Sequence, residues 1–219
     1  MHNTVKNLIY IEELIKSKVN DENVAKLPKI IAVSKTFSIE NILPLIDHGH
    51  LHYGENKVQE ALDKWTEIKF KNINIKLHLI GKLQTNKVKF ALKIFDYIHS
   101  LDSEKLAAKI ADEQVKQDKK PKIFIQVNIG NEDQKSGINR EKLVDFYKFC
   151  INLNLDIVGT MCIPPNDQNS NNYFSEMNQI NKNINFKELS MGMSSDYLSA
   201  IKNNATYVRI GSKIFGNRD

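Results

Sequence analysis

Eight times along this chain a short run rich in Ile and Val gives way to a longer amphipathic stretch, and that alternation restricts the fold more than any other feature. A strand that repeatedly leads into a helix is satisfied when successive strands lie parallel and the helices cover the sheet. The candidate strands begin near Ile30 (IIAVS), Leu51 (LHYGE), Lys76 (KLHLIG), Tyr97 (YIHSLD), Lys122 (KIFIQVN), Asp156 (DIVGTMCI), Lys187 (KELSMG) and Tyr207 (YVRIG). Their mean spacing of about 25 residues is that of a trimmed (β/α)8 barrel, whose usual length is about 250 residues. The expected architecture is therefore α/β: a single TIM-type barrel domain over residues 1–219 with an extra N-terminal helix. Helices are expected over Ser38 to Asp47, Asn56 to Lys69, Gln84 to Lys93, Ser103 to Lys116, Arg140 to Asn152, Asn171 to Asn183 and Ser194 to Asn203. Ser103 reads as an N-cap, with Leu106, Ala107, Ile110 and Ala111 on one stripe. The leading helix, Met1 to Lys18, would turn Leu8, Ile11, Leu14 and Ile15 inward. Residues 167–172 (DQNSNN) form a polar loop, with no boundary between domains.

Composition closes off other classes. No apolar run approaches the roughly 18 residues of a spanning helix, and Met1 to Lys18 mixes charged residues into its apolar ones, unlike a signal peptide. A cytoplasmic protein is expected. Cys150 and Cys162 are too few for a disulfide framework and too far apart for a CxxC site, so both read as small buried apolar residues. The net charge is +5, but of 31 basic residues only Arg140, Arg209 and Arg218 are Arg, the usual bidentate reader of bases and phosphates. A solvated lysine surface explains this charge, and no nucleic-acid partner is expected. His48, His50 and His52 sit ahead of the second strand without a carboxylate at ligand spacing, so no metal is expected. Neither a Walker loop nor a GxGxxG motif is present.

In a barrel of this kind function gathers where strands end and βα loops begin. The first strand runs into Ser34-Lys35-Thr36, placing a lysine at the mouth. Desolvation there lowers the pKa of an amine and makes it a nucleophile able to form a Schiff base. The second strand ends in Gly54-Glu55-Asn56, the third carries His78 ahead of Gly81, and the sixth holds Met161. Singly, each has a plain structural reading: Asn56 as a helix cap, Gly81 as a turn, His78 as a satisfied core histidine. The last two units are sharper. Ser190 to Asp196 (SMGMSSD) and Val208 to Ser212 (VRIGS) both place glycine and hydroxyls where a helix begins, and barrels often bind phosphate after strands seven and eight.

Seven blocks carry a resemblance that runs nearly end to end: AVSKT (32–36), GEN-K-VQE (54–60), HLIG-x-LQTNK (78–87), HSLD (99–102), IQVNI with KSGI (125–138), LSMGMSSD (189–196) and VRIGSKIFGNRD (208–219). With them the chain resembles the pyridoxal phosphate homeostasis (YggS/PROSC) family. The resemblance implies a barrel like the alanine racemase N-terminal domain holding pyridoxal 5'-phosphate (PLP). By position it assigns the Schiff base to Lys35, the phosphate to Ser194, Gly211 and Ser212, and the pyridine nitrogen to Arg209. Asn56, His78 and Met161 would lie around the ring. A charged Arg beside that nitrogen disfavours its protonation and leaves the ring a weaker electron sink.

The family's implied role is PLP homeostasis: buffering the cofactor or delivering it, with apo PLP-dependent enzymes as recipients, and without robust catalysis. Racemization needs a second acid/base on the opposite substrate face, and the chain stops at Asp219, just after the eighth unit, where alanine racemase has a further domain. The same ending favours a monomer. Lys135, after the fifth strand, is a candidate transient acceptor for released PLP. A weak PLP-dependent racemase is the enzymatic alternative, and a barrel binding some other phosphate is a third. Small departures from the commoner family pattern stand at Leu77 for Trp, Phe37-Ser38 for Lys-Pro, and Lys82 for Pro or His.

Overall fold

The computed structural model describes residues 1–21, 26–132, 134–167 and 169–216. Arg218, the end of the 208–219 block and residue 168 of the polar loop lie outside them. Helix α1 (Asn3–Asp21) precedes β1 (Lys29–Val33), α2 (Ile39–Asp47), β2 (His52–Glu55), α3 (Val58–Lys71), β3 (Lys76–Leu79) and α4 (Val88–Ile94). Then follow β4 (Tyr97–Leu101), α5 (Glu104–Gln117), β5 (Lys122–Val127), α6 (Leu143–Asn152), β6 (Asp156–Cys162) and α7 (Ser170–Asn183). The chain continues through β7 (Glu188–Met193), α8 (Tyr197–Lys202), β8 (Tyr207–Ile210) and a last short turn, α9 (Ser212–Phe215). All strands pair in parallel in chain order, and β8 returns to β1 through Lys29–Tyr207, Ile30–Val208, Ile31–Arg209 and Ala32–Ile210. The (β/α)8 barrel with its N-terminal helix is thus the fold.

Each strand begins within one residue of its expected position. Helix starts differ more, for local reasons. Three-residue 3-10 turns at Thr85–Lys87 and Arg140–Lys142 lead into α4 and α6. Helix α8 starts at Tyr197, not Ser194, because the Asp196 carboxylate accepts the Met193 N–H at 2.6 Å and holds the intervening residues as a turn. Ser103 does cap α5, its hydroxyl accepting the Leu106 N–H at 3.4 Å. On α1, Val5, Leu8, Ile11 and Ile15 are buried while Leu14 is only half-buried, because spacings of three and four put the first group on one stripe.

Strand alternation divides the buried residues into two layers. Outward-facing Ile30, Ala32, Leu77, Leu79, Ile123, Ile125, Val208 and Ile210 pack against the helices in one large cluster. Inside the barrel a small cluster of Ile31, Tyr97, Phe124, Met161 and Tyr207 shares the space with buried His78, His99, Ser190 and Arg209. His78 stacks on Tyr97 at 4.2 Å and His99 on Phe124 at 4.3 Å. Cys150 and Cys162 are buried free thiols whose pKa burial pushes up to about 12, so neither is reactive. Among the described residues no helix is long and apolar enough to cross a membrane, and none group as a metal site.

Two measurements check this packing. Leu8→Ala should cost about 2–5 kcal/mol in urea unfolding, because α1 packs into the main core and is not an appendage. Burial drives the pKa of His50 and of His52 down to about 4 and lowers those of His78 and His99 well below the usual value. The unfolded chain, with histidines near about 6.5, then binds more protons than the folded one at mildly acid pH. Stability should be full above about pH 6.5 and fall as the pH drops toward 4, seen as a lower urea midpoint at pH 5 than at pH 7.5; equal midpoints would show that these rings charge within the fold.

Candidate functional site

The carboxyl ends of β1, β2, β7 and β8 surround a cavity of about 970 Å³. Its lining includes Lys35, Asn56, Ser194, Arg209, Gly211 and Ser212, six of the eight residues expected to meet a cofactor. Val33, Ile80, Ile163 and Met193 add apolar surface, and Ser195 and Lys213 complete it. Among the described residues three cations and three serines line this space and no carboxylate does, which is the polarity an anion requires.

Lys35 is half-buried at the end of β1, with both neighbours pinned. On one side Ser34 is fully buried; its hydroxyl donates to Glu55 at 2.8 Å and its carbonyl accepts from Lys64 at 3.0 Å. On the other, the Thr36 N–H donates to Glu60 at 2.7 Å. Lys64 ties the two sides together, lying 3.1 Å from Glu55 and 3.2 Å from Glu60. The buried Glu55 also accepts from the Trp65 indole at 3.0 Å. Thr36 pays in backbone strain, with φ of +67°, a left-handed conformation unfavourable to a β-branched residue. Sequence reasoning found Lys35 and missed the residues gripping its loop, although Glu60 and Lys64 are spaced four apart on one helix.

Across the cavity, the β7 and β8 loops are joined where the Gly211 N–H donates to the Ser194 hydroxyl at 3.2 Å. Gly192, just before, has φ of +88° and leaves only 2.6 Å between an added Cβ and Ala200, so no other residue fits that bend. Gly81 serves a similar purpose on the far side: a Cβ there would meet the Asn56 carbonyl at 2.4 Å.

Arg209 is only 3% exposed. It donates to the Ser190 hydroxyl at 2.8 Å, the Ser190 carbonyl at 3.0 Å and the Cys162 carbonyl at 2.9 Å. Burial pulls its pKa below the ordinary arginine value, while Cys162 and Asp196 oppose that shift. A guanidinium held by neutral groups presents positive charge to whatever occupies the cavity.

His78 and Met161 do not join this lining. Both are buried in the barrel interior, His78 between His52 and His99, and Met161 in the aromatic cluster. Lys135 lines a separate cleft with Lys82, Asp102 and Ser103, paired with Glu132 and donating to the Pro164 carbonyl at 3.2 Å.

The family described as alanine racemase, N-terminal domain, matches residues 17–219. The chain is 37% identical to the pyridoxal phosphate homeostasis protein of Pasteurella multocida, across 98% of this chain and 97% of that protein. It belongs to the pyridoxal phosphate homeostasis family. PipY of Synechococcus elongatus without PLP, 30% identical, superposes with a TM-score of 0.81 over 92% of this chain and 100% of its own. PipY with PLP bound gives 0.77 over the same shares. An alanine racemase of Clostridium difficile, at 15% identity and a TM-score of 0.68 over 93% of this chain and 56% of its own, shares the fold alone. The names carried by these family relatives describe homeostasis proteins, not enzymes.

The grip on Lys35 has a measurable signature. Thr36→Gly should relieve the left-handed strain and raise stability by about 1 kcal/mol in thermal or urea unfolding, since the Thr36 side chain is exposed. A loss of stability instead would mean that the side chain contributes more than its backbone costs.

Proposed function

We propose that this chain binds PLP in the Lys35 cavity and buffers or delivers it within the cytoplasm, without robust catalysis. The observation that carries the reading is the convergence, in one cavity, of a lysine amine, a buried guanidinium and paired serine–glycine loops. When bound, PLP supplies an aldehyde carbon that an amine can attack. Lys35 is the amine, at the end of β1. Ser194, Ser212 and the Gly211 backbone face the cavity from the β7 and β8 loops, where they suit a phosphate. Arg209 would meet the ring nitrogen, and Asn56, Ile80 and Ile163 would offer sides for a flat ring. His78 and Met161, buried in the barrel interior, are the further residues that would lie around the ring.

The lining also supports a carrier over an enzyme. Racemization at a substrate carbon requires an acid and a base on opposite faces. Among the described residues, apart from Lys35 the only other amine lining this cavity is the exposed Lys213, and none of the lining residues is His, Tyr, Asp or Glu. The recipients are apo forms of PLP-dependent enzymes, and the carrier acts as a monomer. Lys135, in its own cleft apart from the Lys35 lining, is the candidate transient acceptor during transfer, and the Schiff base itself forms on Lys35.

The test is the visible absorption spectrum with PLP, before and after borohydride reduction, for wild type and Lys35→Ala, followed by peptide mapping. Wild type should show a reducible band and a label on Lys35, and the variant neither. Wild type without band or label ends the PLP reading. Loss of the α-hydrogen of amino acids faster than with free PLP would favour the racemase instead.

A further inference from the structure

We infer that His52, His78, His99 and Ser190 form one directional hydrogen-bonded chain through the barrel interior that positions Arg209 at the Lys35 cavity. The chain stands on its own geometry, and its effect on a ligand rests on the function proposed above. His52 Nδ1 lies 2.9 Å from His78 Nε2, His78 Nδ1 lies 2.9 Å from His99 Nε2, and His99 Nδ1 lies 2.9 Å from the Ser190 hydroxyl. Arg209 completes it at 2.8 Å from the same hydroxyl. The groups come from β2, β3, β4, β7 and β8, so the chain exists only in the closed barrel.

Its direction follows from donor and acceptor chemistry. A guanidinium only donates, so Ser190 Oγ accepts from Arg209. The Ser190 proton then goes to His99 Nδ1, its other hydrogen-bond contact among the described residues. His99 must carry its proton on Nε2 and donate to His78, and His78 must likewise donate from Nε2 to His52. The opposite direction would leave the buried Ser190 proton with no acceptor among these contacts, a costly omission in a dry interior. A proton added to any ring would set two donors against each other, so the order holds only while the three rings are neutral. Burial of His78 and His99, and the charge of Arg209 beside His99, favour that state. At the far end His52 faces Lys29 of β1, His50, Lys76 of β3, Asp96, and the rings of Tyr97 and Tyr207, with Glu12 and Lys16 of α1 across the adjoining cavity. The consequence lies at Ser190: with its hydroxyl proton committed to His99, its lone pairs are fixed toward Arg209, whose hydrogen bonds among the described residues go to Ser190 and Cys162.

Ring-nitrogen NMR of the isotope-labelled full chain, with no ligand added, tests this directly. At neutral pH, His52, His78 and His99 should each show a protonated Nε2 and a bare Nδ1; an Nδ1–H form or a charged ring at any of them overturns the chain. Ser190→Ala should release His99 from its single form and shift the ring signals of His78 and His52, which residue 190 does not touch. Unmoved signals at both overturn the coupling. Titration with PLP should find this variant about tenfold weaker than wild type, and equal affinity overturns the positioning of Arg209. Wild type that takes up no PLP overturns the proposed function alone, because the spectra decide the chain without it. The wild-type spectra need no variant, so a misfolded Ser190→Ala leaves the test intact.

Discussion

The pairing of β8 with β1 is the contact on which everything else in this molecule depends. Ala32 lies beside Ile210 in that register, so Lys35, three residues beyond Ala32, emerges next to Gly211 and Ser212 from the other end of the chain. An amine and the paired serine–glycine loops, separated by most of the sequence, become two walls of one cavity. The cost of closing so long a loop grows only logarithmically with its length, and the two-layered core repays it. The last pairing to form in chain order is thus the one that assembles the site.

Closure also creates an unusual interior. TIM-type barrels commonly fill this space with branched aliphatic side chains; here rings and polar groups occupy much of it. Ile31, Phe124 and Met161 supply apolar volume, and two tyrosines, two histidines, Ser190 and Arg209 supply the rest. Burying such groups is unfavourable unless each finds a partner. The stacked His78–Tyr97 and His99–Phe124 pairs hide the ring faces, while ring nitrogens meet one another or Ser190. A polar network of this kind tolerates few alternative packings, which suits a barrel whose open end must hold Arg209 and Lys35 in fixed relation.

Much of this was legible in the sequence, for a definable reason. Strand positions followed from apolar runs such as IIAVS and KIFIQVN, a local signal, and Lys35 and the serine–glycine loops at Ser194 and Gly211–Ser212 followed from their places after strand ends, whereas Asn56 and Arg209 were marked out by the family resemblance. What local pattern does not encode is pairing across the barrel. His52, His78, His99 and Ser190 come from four different strands, and no spacing rule marks them as partners. His78 drew notice as a ring neighbour, yet strand alternation places it inside the barrel, away from the cavity lining. Lys35 was expected to be buried and is half-buried, because solvent reaches the mouth of a strand's end. The turn at Ser194 to Asp196 was hidden too: those residues carry helix-start chemistry, and only the Asp196–Met193 hydrogen bond shows that the helix waits until Tyr197.

Where this chain departs from the commoner family pattern, the same alternation explains why the site survives. Leu77 replaces a frequent Trp beside His78, but on β3 these neighbours point to opposite faces, and Leu77 packs among the helices at 0% exposure. Phe37, in place of Lys, stacks on Phe215 at 4.8 Å and so fastens the loop after Lys35 to the turn after Ser212. Lys82 lines the neighbouring cleft with Lys135 and not the Lys35 cavity. Each change falls on a surface that abuts the site without entering it. The cavity can therefore keep one chemistry while the shell around it drifts toward the Lys, Ile and Asn that dominate this sequence.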